Sequence, residues 1–130
     1  MDLLVASNKV HTEKYEFSLI DGDIIYIHYL HHSEIGIDEI VAGINFQDEL
    51  GRYDDFYRII HADPYVTITT EAREFFEHFG RPVVAEAFIM QSTYQKILFN
   101  FYESFRSHFH PIKAFENFEE AKVWLKKFSK

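Results

Sequence analysis

The chain has 130 residues, which fits one domain of a size that can bury its own core. It contains no cysteine, so disulfide bonds and thiolate metal sites are excluded. Its 13 basic and 21 acidic residues leave a net charge of −8, which argues against nucleic acid and anionic membranes as partners.

The first residues predict no ordered element. Residues 1–14 are polar and lack clear periodicity, so we expect a flexible arm followed by one domain over residues 15–130. The chain starts with an acid at position 2 and an apolar run of four residues, which does not resemble a signal peptide. No run approaches the ~18 apolar residues of a membrane span. We therefore expect a cytoplasmic protein.

The string YEFSLIDGDIIYIHYL, residues 15–30, predicts a β-hairpin. Asp21-Gly22 between two apolar runs is a strong turn signal, because both turn positions need a positive φ. The first strand alternates apolar and polar residues, whereas the second is apolar nearly throughout. The second strand is therefore expected to lie nearer the centre of the sheet.

Helix and strand patterns alternate after the hairpin. Amphipathic periodicity predicts four helices, over residues 34–51, 70–80, 92–109 and 117–128. Apolar runs predict three strands between them, over residues 54–63, 82–90 and 111–115. The fold class is therefore α/β, with a mainly parallel mixed sheet of about five strands and an antiparallel N-terminal hairpin at its edge.

Polar residues at the expected helix starts support these boundaries. Thr69 directly precedes the second helix, where a side-chain oxygen can accept an otherwise unpaired backbone N–H. Ser92 with Gln95, and Asn117 with Glu120, have the spacing of a capping box.

Four strings of the chain resemble the SpoIIAA-like branch of the STAS fold, the fold of bacterial anti-sigma-factor antagonists. They are LIDGDIIYI, ITTEAREFF, NFYESFRSHFHPIKAF and FEEAKVWLKKF. The resemblance runs from Tyr15 to Phe128. It implies a STAS-like domain that acts as a non-enzymatic regulatory or protein-interaction module with a protein partner. In such regulators a partner kinase phosphorylates a serine at the start of the second helix. The matching residues here are Thr69 and Thr70, although the DSSG-like motif around that serine is not present.

The two threonines have two interpretations. As an N-cap, Thr69 would stabilise the helix by ~1 kcal/mol. As a regulatory hydroxyl, Thr69 or Thr70 would carry a phosphate at a helix N-terminus, where the dipole favours an anion but Glu71 and Glu74 repel it. We expect Thr69 to act chiefly as a cap.

The eight histidines do not define a metal site by their spacing. The string HYLHH holds His28, His31 and His32, and SHFHP holds His108 and His110, but the sequence places no third ligand beside the last two. Carboxylates cluster at helix starts and on polar faces, where solvation explains them, and no glycine-rich phosphate loop follows a strand. We therefore predict no catalytic residue, no metal and no cofactor, and expect that the protein is not an enzyme.

The predicted helix over residues 92–109 is rich in aromatic residues. One broad apolar face gathers Tyr94, Ile97, Leu98, Phe101, Tyr102 and Phe105. Phe99 lies ~100° from the centre of that stripe at helical spacing. Tyr94, Phe99 and Tyr102 are therefore candidates for a homodimer interface or for the lining of a pocket, besides the core. The alternative function is a binding protein for a small hydrophobic, lipid-like ligand held between the sheet and this helix.

Overall fold

A mixed six-stranded β-sheet forms the centre of the fold. The structure is a computed structural model that describes residues 9–51, 55–93, 95–96, 99–100 and 110–128. Numbered along the chain, the strands of this sheet are β1 (Lys9–His11), β2 (Tyr15–Ile20), β3 (Ile24–Tyr29), β5 (Tyr57–Ala62), β7 (Glu86–Ile89) and β8 (Ile112–Phe115). Two short strands, β4 (Glu34–Ile35) and β6 (Thr67–Ile68), pair with each other in a separate parallel ladder. The described helices with continuous bounds are α1 (Ile37–Leu50), α2 (Thr70–Phe79) and α3 (Phe118–Leu125).

The strands of the main sheet lie in the order β1-β2-β3-β5-β7-β8. β1, β2 and β3 pair antiparallel, and the pairs from β3 to β8 are parallel. Asp21, Gly22 and Asp23 join β2 to β3, and Asp21 and Gly22 have the expected positive φ values of 56° and 77°. The predicted α/β class, mixed sheet and antiparallel hairpin are therefore confirmed.

Within the flexible arm that was expected over residues 1–14, the structure corrects residues 9–11, whereas residues 1–8 lie outside the described residues. Lys9–His11 form an edge strand in which Val10 lies opposite Phe17 of β2. This pairing satisfies backbone groups that β2 would otherwise expose at the sheet edge. A strand of three residues with a single half-buried side chain carries almost no periodicity, so the sequence does not reveal it. The sheet therefore has six strands rather than about five.

Helices cover both faces of the sheet. α1 and α2 pack on one face, over Ile25 and Ile27 of β3. α3 packs on the other face, where Ala121 and Leu125 cluster with Ile24. Because side chains alternate along a strand, β3 and β5 give every second residue to each face. We call the side beneath α1 and α2 the helix-pair face and the side beneath α3 the single-helix face.

Three helix ends follow the predicted signals, whereas α1 begins at Ile37 and not at residue 34, because Glu34–Ile35 pair with β6. Thr69 Oγ1 accepts a hydrogen bond from the backbone N–H of Ala72 at 3.0 Å. Asn117 Oδ1 accepts one from the backbone N–H of Glu120 at 2.9 Å. Gly51 ends α1 at a φ of 79°, a left-handed conformation that glycine adopts without strain.

The predicted helix over residues 92–109 is described only in part. Residues 93, 95–96 and 99–100 are helical. Ser92 Oγ accepts a hydrogen bond from the backbone N–H of Gln95 at 3.1 Å, which confirms the expected cap. Tyr94 and Tyr102 lie outside the described residues.

Candidate functional site

An apolar cavity of about 140 Å³ lies between the helix-pair face of the sheet and its helices. Strands β3, β5 and β7 form its floor with alternate side chains: Ile27, Tyr29, Arg58, Ile60, Ala62 and Phe88. Ile40 and Ile44 of α1, Phe76 of α2 and Phe99 also line it. A cavity of roughly 150 Å³ with apolar walls stays dry and accepts a benzene-sized molecule. The cavity therefore has room for a group of that size.

Positive charge is concentrated in the lining of this otherwise apolar space. Arg58, Arg73 and Arg81 contribute to the lining, and no aspartate or glutamate of the described residues does. The acids that pair with two of these arginines lie outside the lining, since Glu86 binds Arg58 and Asp48 binds Arg81. In a chain of net charge −8, three guanidinium groups thus line one cavity, although Glu86 and Asp48 already neutralise two of them.

Arg58 is the centre of a buried ion-pair network beside the cavity. It is 2% exposed, and its Nε donates to Glu86 Oε2 at 2.7 Å. Its Nη1 donates to Gln47 Oε1 at 3.0 Å and to the backbone carbonyl of Arg81 at 3.1 Å. His110 Nε2 lies 2.8 Å from the other oxygen of Glu86, Oε1. These charges are buried away from water, and several short hydrogen bonds stabilise them. A buried ion pair requires such bonds.

The partners of Glu86 keep its carboxylate ionised. Burial alone raises the pKa of Glu86. The charge of Arg58, followed by the hydrogen bond and charge of His110, outweighs burial and lowers the pKa from 4.5 to about 2. The carboxylate therefore stays charged near neutral pH and holds the guanidinium of Arg58 in place.

Arg58 and Tyr29 each bring to the lining a hydrogen-bond donor that has no partner among the described residues. One is the buried Nη2 of Arg58. The other is the hydroxyl of Tyr29, a residue that is 7% exposed. Burial raises the pKa of Tyr29 and the charge of Arg58 opposes only part of that rise, so the hydroxyl keeps its proton. The unmade bond of Arg58 Nη2, which is fully buried, costs ~1–3 kcal/mol, and a ligand with acceptor atoms would relieve that cost.

The structure places Phe99 in the cavity lining. Phe99 is 7% exposed and packs against Phe88, with ring centroids 5.1 Å apart. Although Phe99 lies away from the apolar stripe of its helix, it is not exposed, because it packs against β7 and against Ile112 of β8. Phe99 therefore fits the pocket alternative, whereas the other two candidates, Tyr94 and Tyr102, are not among the described residues.

Thr69 and Thr70 lie at the start of α2, next to the cavity. The Thr69 hydroxyl forms the N-cap, as expected, and Thr70 is exposed at the first helical position. Thr67 and Ile68, which directly precede them, line the cavity. A change at this helix start would therefore act on the cavity wall. A regulatory role of either hydroxyl stays a prediction.

Three exposed rings lie together in the loops that follow β3 and β5. Tyr65 is 72% exposed and stacks on His32, with ring centroids 5.2 Å apart and planes 7° apart. His31 contacts both rings. Tyr65 and His32 each have a φ of 66°, a conformation that costs residues other than glycine energy. Exposed aromatic side chains on loops that a sheet positions are typical of protein-contact surfaces.

Sequence reasoning did not identify Arg58, Glu86 or Gln47. A signal was available, because Arg58 interrupts the apolar string FYRII and Glu86 interrupts VVAEAFIM. Charged residues are almost never fully buried unless they are paired. The pairing itself joins residues 28 positions apart that lie opposite each other on β5 and β7. Local patterns do not give that register.

The fold defines the class of protein. The chain is similar to a solved structure described as an uncharacterized protein from the DUF3478 family with a SpoIIAA-like fold, from Shewanella loihica PV-4. The two share 14% sequence identity at a TM-score of 0.60, and the match covers 85% of this chain and 91% of that chain. This chain therefore has a SpoIIAA-like α/β fold, as its strings implied.

The family match is more specific than the similarity in fold. Residues 17–129 match the family described as a domain of unknown function, DUF7793, and the chain belongs to that family. Among curated proteins, none matches the chain. No helix within the described ranges has the length and apolarity to cross a bilayer. Fold and family do not assign a function, which has to be argued from the site.

Proposed function

We propose that this domain binds a small apolar carboxylic acid, about the size of benzoate, in the cavity on the helix-pair face. The observation that carries the proposal is an apolar cavity of about 140 Å³ whose described lining includes three arginines and no acid. The apolar part of the ligand would leave water for this space, which is favourable in proportion to its buried area. The carboxylate would meet the positive charge of the lining. This ligand class refines the small hydrophobic ligand that the sequence analysis gave as its alternative function.

Arg58 and Tyr29 supply the polar contacts in this proposal. The ligand carboxylate accepts hydrogen bonds from Arg58 Nη2 and from the Tyr29 hydroxyl, neither of which has a partner among the described residues. Hydrogen bonds between a guanidinium and a carboxylate are about twice as strong as neutral ones. Glu86 and Gln47 already hold the guanidinium, so little side-chain freedom is lost on binding. Phe76 then packs against the apolar part of the ligand.

The domain acts without catalysis in this proposal. A general base needs a pKa near the working pH, whereas the pKa of Tyr29 is raised and Arg58 is ion-paired. The polar groups of the cavity are thus suited to hold an anion and not to transfer a proton.

Ligand binding can be measured directly. Native mass spectrometry of the purified, tag-free protein reports a ligand that is retained from the host. Calorimetric titration of ligand-free protein compares benzoate with benzyl alcohol, which has a similar shape but no charge. The difference in affinity reports the contribution of the carboxylate. We expect benzoate to bind one per chain with a Kd below ~1 mM, and benzyl alcohol to bind at least ~10-fold more weakly.

Three variants test the location. Ala62→Leu fills part of the cavity and is expected to abolish benzoate binding, whereas Ala114→Leu adds the same volume on β8 outside the lining and should preserve it. Tyr29→Phe keeps the ring, removes the hydroxyl, and should weaken binding by up to ~10-fold. Benzoate binding that is unchanged in Ala62→Leu would contradict the proposal.

A second candidate function is a cytoplasmic regulatory module that binds a protein partner. The fold class favours it, and so does the exposed cluster of His31, His32 and Tyr65. A pull-down from the native host would compare wild type with Tyr65→Ala and with Phe79→Ala, a control at another exposed aromatic residue, which is 56% exposed. A partner that only Tyr65→Ala fails to capture supports this function. Equal capture by all three proteins contradicts it.

A further inference from the structure

A second group of polar side chains lies on the single-helix face, on the opposite side of the sheet from the cavity. His28 on β3 and His61 on β5 are register partners on adjacent parallel strands. Asp63 follows β5, and its Oδ1 lies 2.7 Å from His28 Nε2 and 3.8 Å from His61 Nε2. The three side chains are between 19% and 25% exposed. The sheet thus brings two imidazoles and one carboxylate to one half-buried place.

The distances within this group suit a shared ion. The two imidazole rings are parallel, with planes 4° apart and centroids separated by 4.4 Å. Ligand atoms of His28, His61 and Asp63 all lie within 4.8 Å of one another. Zinc binds imidazole nitrogen and carboxylate oxygen at ~2.0–2.2 Å, so two ligand atoms of one ion are at most about 4 Å apart. Small side-chain rotations therefore bring all three atoms onto one ion.

The nitrogen on the far side of the His61 ring also has a hydrogen-bond partner. His61 Nδ1 lies 2.6 Å from the hydroxyl of Tyr26, whereas His28 Nδ1 lies 4.0 Å from Glu16 Oε1, which is beyond hydrogen-bond distance. Histidines that bind metals have this arrangement, in which one nitrogen faces the ion and the other N–H faces a carboxylate or another acceptor. Such partners fix the tautomer and orient the coordinating nitrogen.

An ion pair between His28 and Asp63 explains only part of this geometry. The second ring, His61, stacks on the first and turns its Nε2 toward the same carboxylate. That nitrogen is too far from Oδ1 for a hydrogen bond and forms none with another described residue. His61 therefore presents a nitrogen that is available for coordination.

We propose that His28 Nε2, His61 Nε2 and Asp63 Oδ1 bind one divalent transition-metal ion of the Zn²⁺ class. Two imidazoles and one carboxylate suit such ions, whereas Ca²⁺ and Mg²⁺ prefer oxygen ligands. Three protein ligands leave a fourth position for water or for the donor atom of a ligand.

The other described histidines do not offer an equivalent set. His110 binds the buried Glu86, and His31 and His32 are exposed. His108 lies outside the described residues. The expectation of no metal depended on the spacing of His108 and His110 along the chain. It does not apply to His28, His61 and Asp63, which two neighbouring strands bring together.

The test uses the full-length, tag-free protein after a chelator has removed metal and has itself been removed. Zn²⁺ is titrated in competition with a chromophoric chelator, and Co²⁺ is followed by its visible absorption. We expect one Zn²⁺ per chain with a Kd below ~1 µM, and a Co²⁺ spectrum typical of a four-coordinate site. Wild-type protein that binds no stoichiometric Zn²⁺ at that affinity overturns the proposal, whatever the variants show.

Variants locate the ion. His61→Gln and Asp63→Asn preserve side-chain shape and should each weaken Zn²⁺ binding at least ~10-fold, and Tyr26→Phe should weaken it about 10-fold through the orientation of His61. The double variant His31→Gln/His32→Gln is the control and should bind as wild type does. Circular dichroism checks that each protein is folded. Unchanged binding in both His61→Gln and Asp63→Asn, or loss of binding in the control, overturns the assignment.

Discussion

The two faces of the sheet carry polar groups of different kinds, although the same strands supply both. On the helix-pair face, β5 contributes Arg58, which is 2% exposed and bound to Glu86. On the single-helix face, the same strand contributes His61, whose side chain is 19% exposed. Fully buried charges have to satisfy one another, so they fix a wall of the cavity. A half-buried imidazole has a nitrogen that a ligand from solution can reach. The degree of burial thus separates groups that hold the fold from groups that are available to bind.

One residue connects the two faces. Gln95 lines the cavity, and its Nε2 donates to the backbone carbonyls of Ala62 and Asp63 at 3.3 Å and 3.1 Å. Ala62 lies in the cavity floor, and Asp63 is a proposed metal ligand. The two proposed sites therefore share a backbone segment, and Zn²⁺ affinity measured with and without benzoate reports whether they are coupled.

The largest expected effect comes from the buried pair. Arg58→Met leaves the carboxylate of Glu86 buried without its main partner and should lower the free energy of unfolding by about 3–5 kcal/mol. Asp63→Asn on the other face should cost at most about 1 kcal/mol, because the contact of its carboxylate with His28 is partly exposed. Urea denaturation near neutral pH measures both. Similar losses in the two variants would remove the distinction between the faces.

The next effect concerns the wall of the cavity. Phe99→Ala should lower the free energy of unfolding by about 3 kcal/mol, because it removes a buried ring that packs on Phe88. Val123→Ala on α3 is the control and should change stability little, since Val123 is 64% exposed. Sedimentation velocity at matched concentration should show the same association state for both variants. A small loss of stability together with a shift toward monomer would return Phe99 to a subunit interface.

The third effect is a dependence on pH. The pKa of Glu86 is about 2 in the folded chain, against 4.5 for the free group. Between these values the unfolded chain binds more protons, so the stabilisation is complete above pH 4.5 and is lost as the pH falls toward 2. The loss should be on the order of 2 kcal/mol. Urea midpoints measured across this range should fall more steeply for wild type than for Glu86→Gln. Equal slopes would mean that Arg58 and His110 do not hold the carboxylate ionised.

Much of the fold could be predicted because its signals are local. The Asp21-Gly22 turn, the cap at Asn117 and the alternation of helices and strands each lie within a few residues of sequence. The sequence did not predict β1, because this strand is stabilised by pairing with β2 and has no clear pattern of its own. The burial of Phe99 could not be predicted from the apolar stripe of its helix, because this residue lies away from the stripe and still packs on the sheet.

The candidate sites were harder to predict because neighbouring strands assemble them. His28 and Asp63 are 35 residues apart, and they meet only when β3 and β5 adopt one particular register. A shift by one residue would send His61 to the cavity side and Arg58 to the other. The charges within apolar strings could have indicated buried pairing, but not which partners would pair.

The smallest expected effect is at the start of α2, on the helix-pair face. Thr69→Ala removes the acceptor for the backbone N–H of Ala72 and should lower the free energy of unfolding by ~1 kcal/mol. Thr69→Ser and Thr69→Asp should largely preserve stability, because both side chains are good caps. Thr70→Ala is the matched control, since Thr70 is exposed and does not form the cap.

Urea denaturation of the four variants separates a cap from a regulatory hydroxyl. An unchanged midpoint in Thr69→Ala would exclude the cap as a source of stability. If the pull-down identifies a partner, Thr69→Asp should still capture it, because the added charge mimics no required signal in this proposal. Loss of the partner in Thr69→Asp, with the midpoint preserved, would instead show that the start of α2 is recognised from outside. In that case the threonine would act as the phosphorylated serine does in the regulators that the chain resembles.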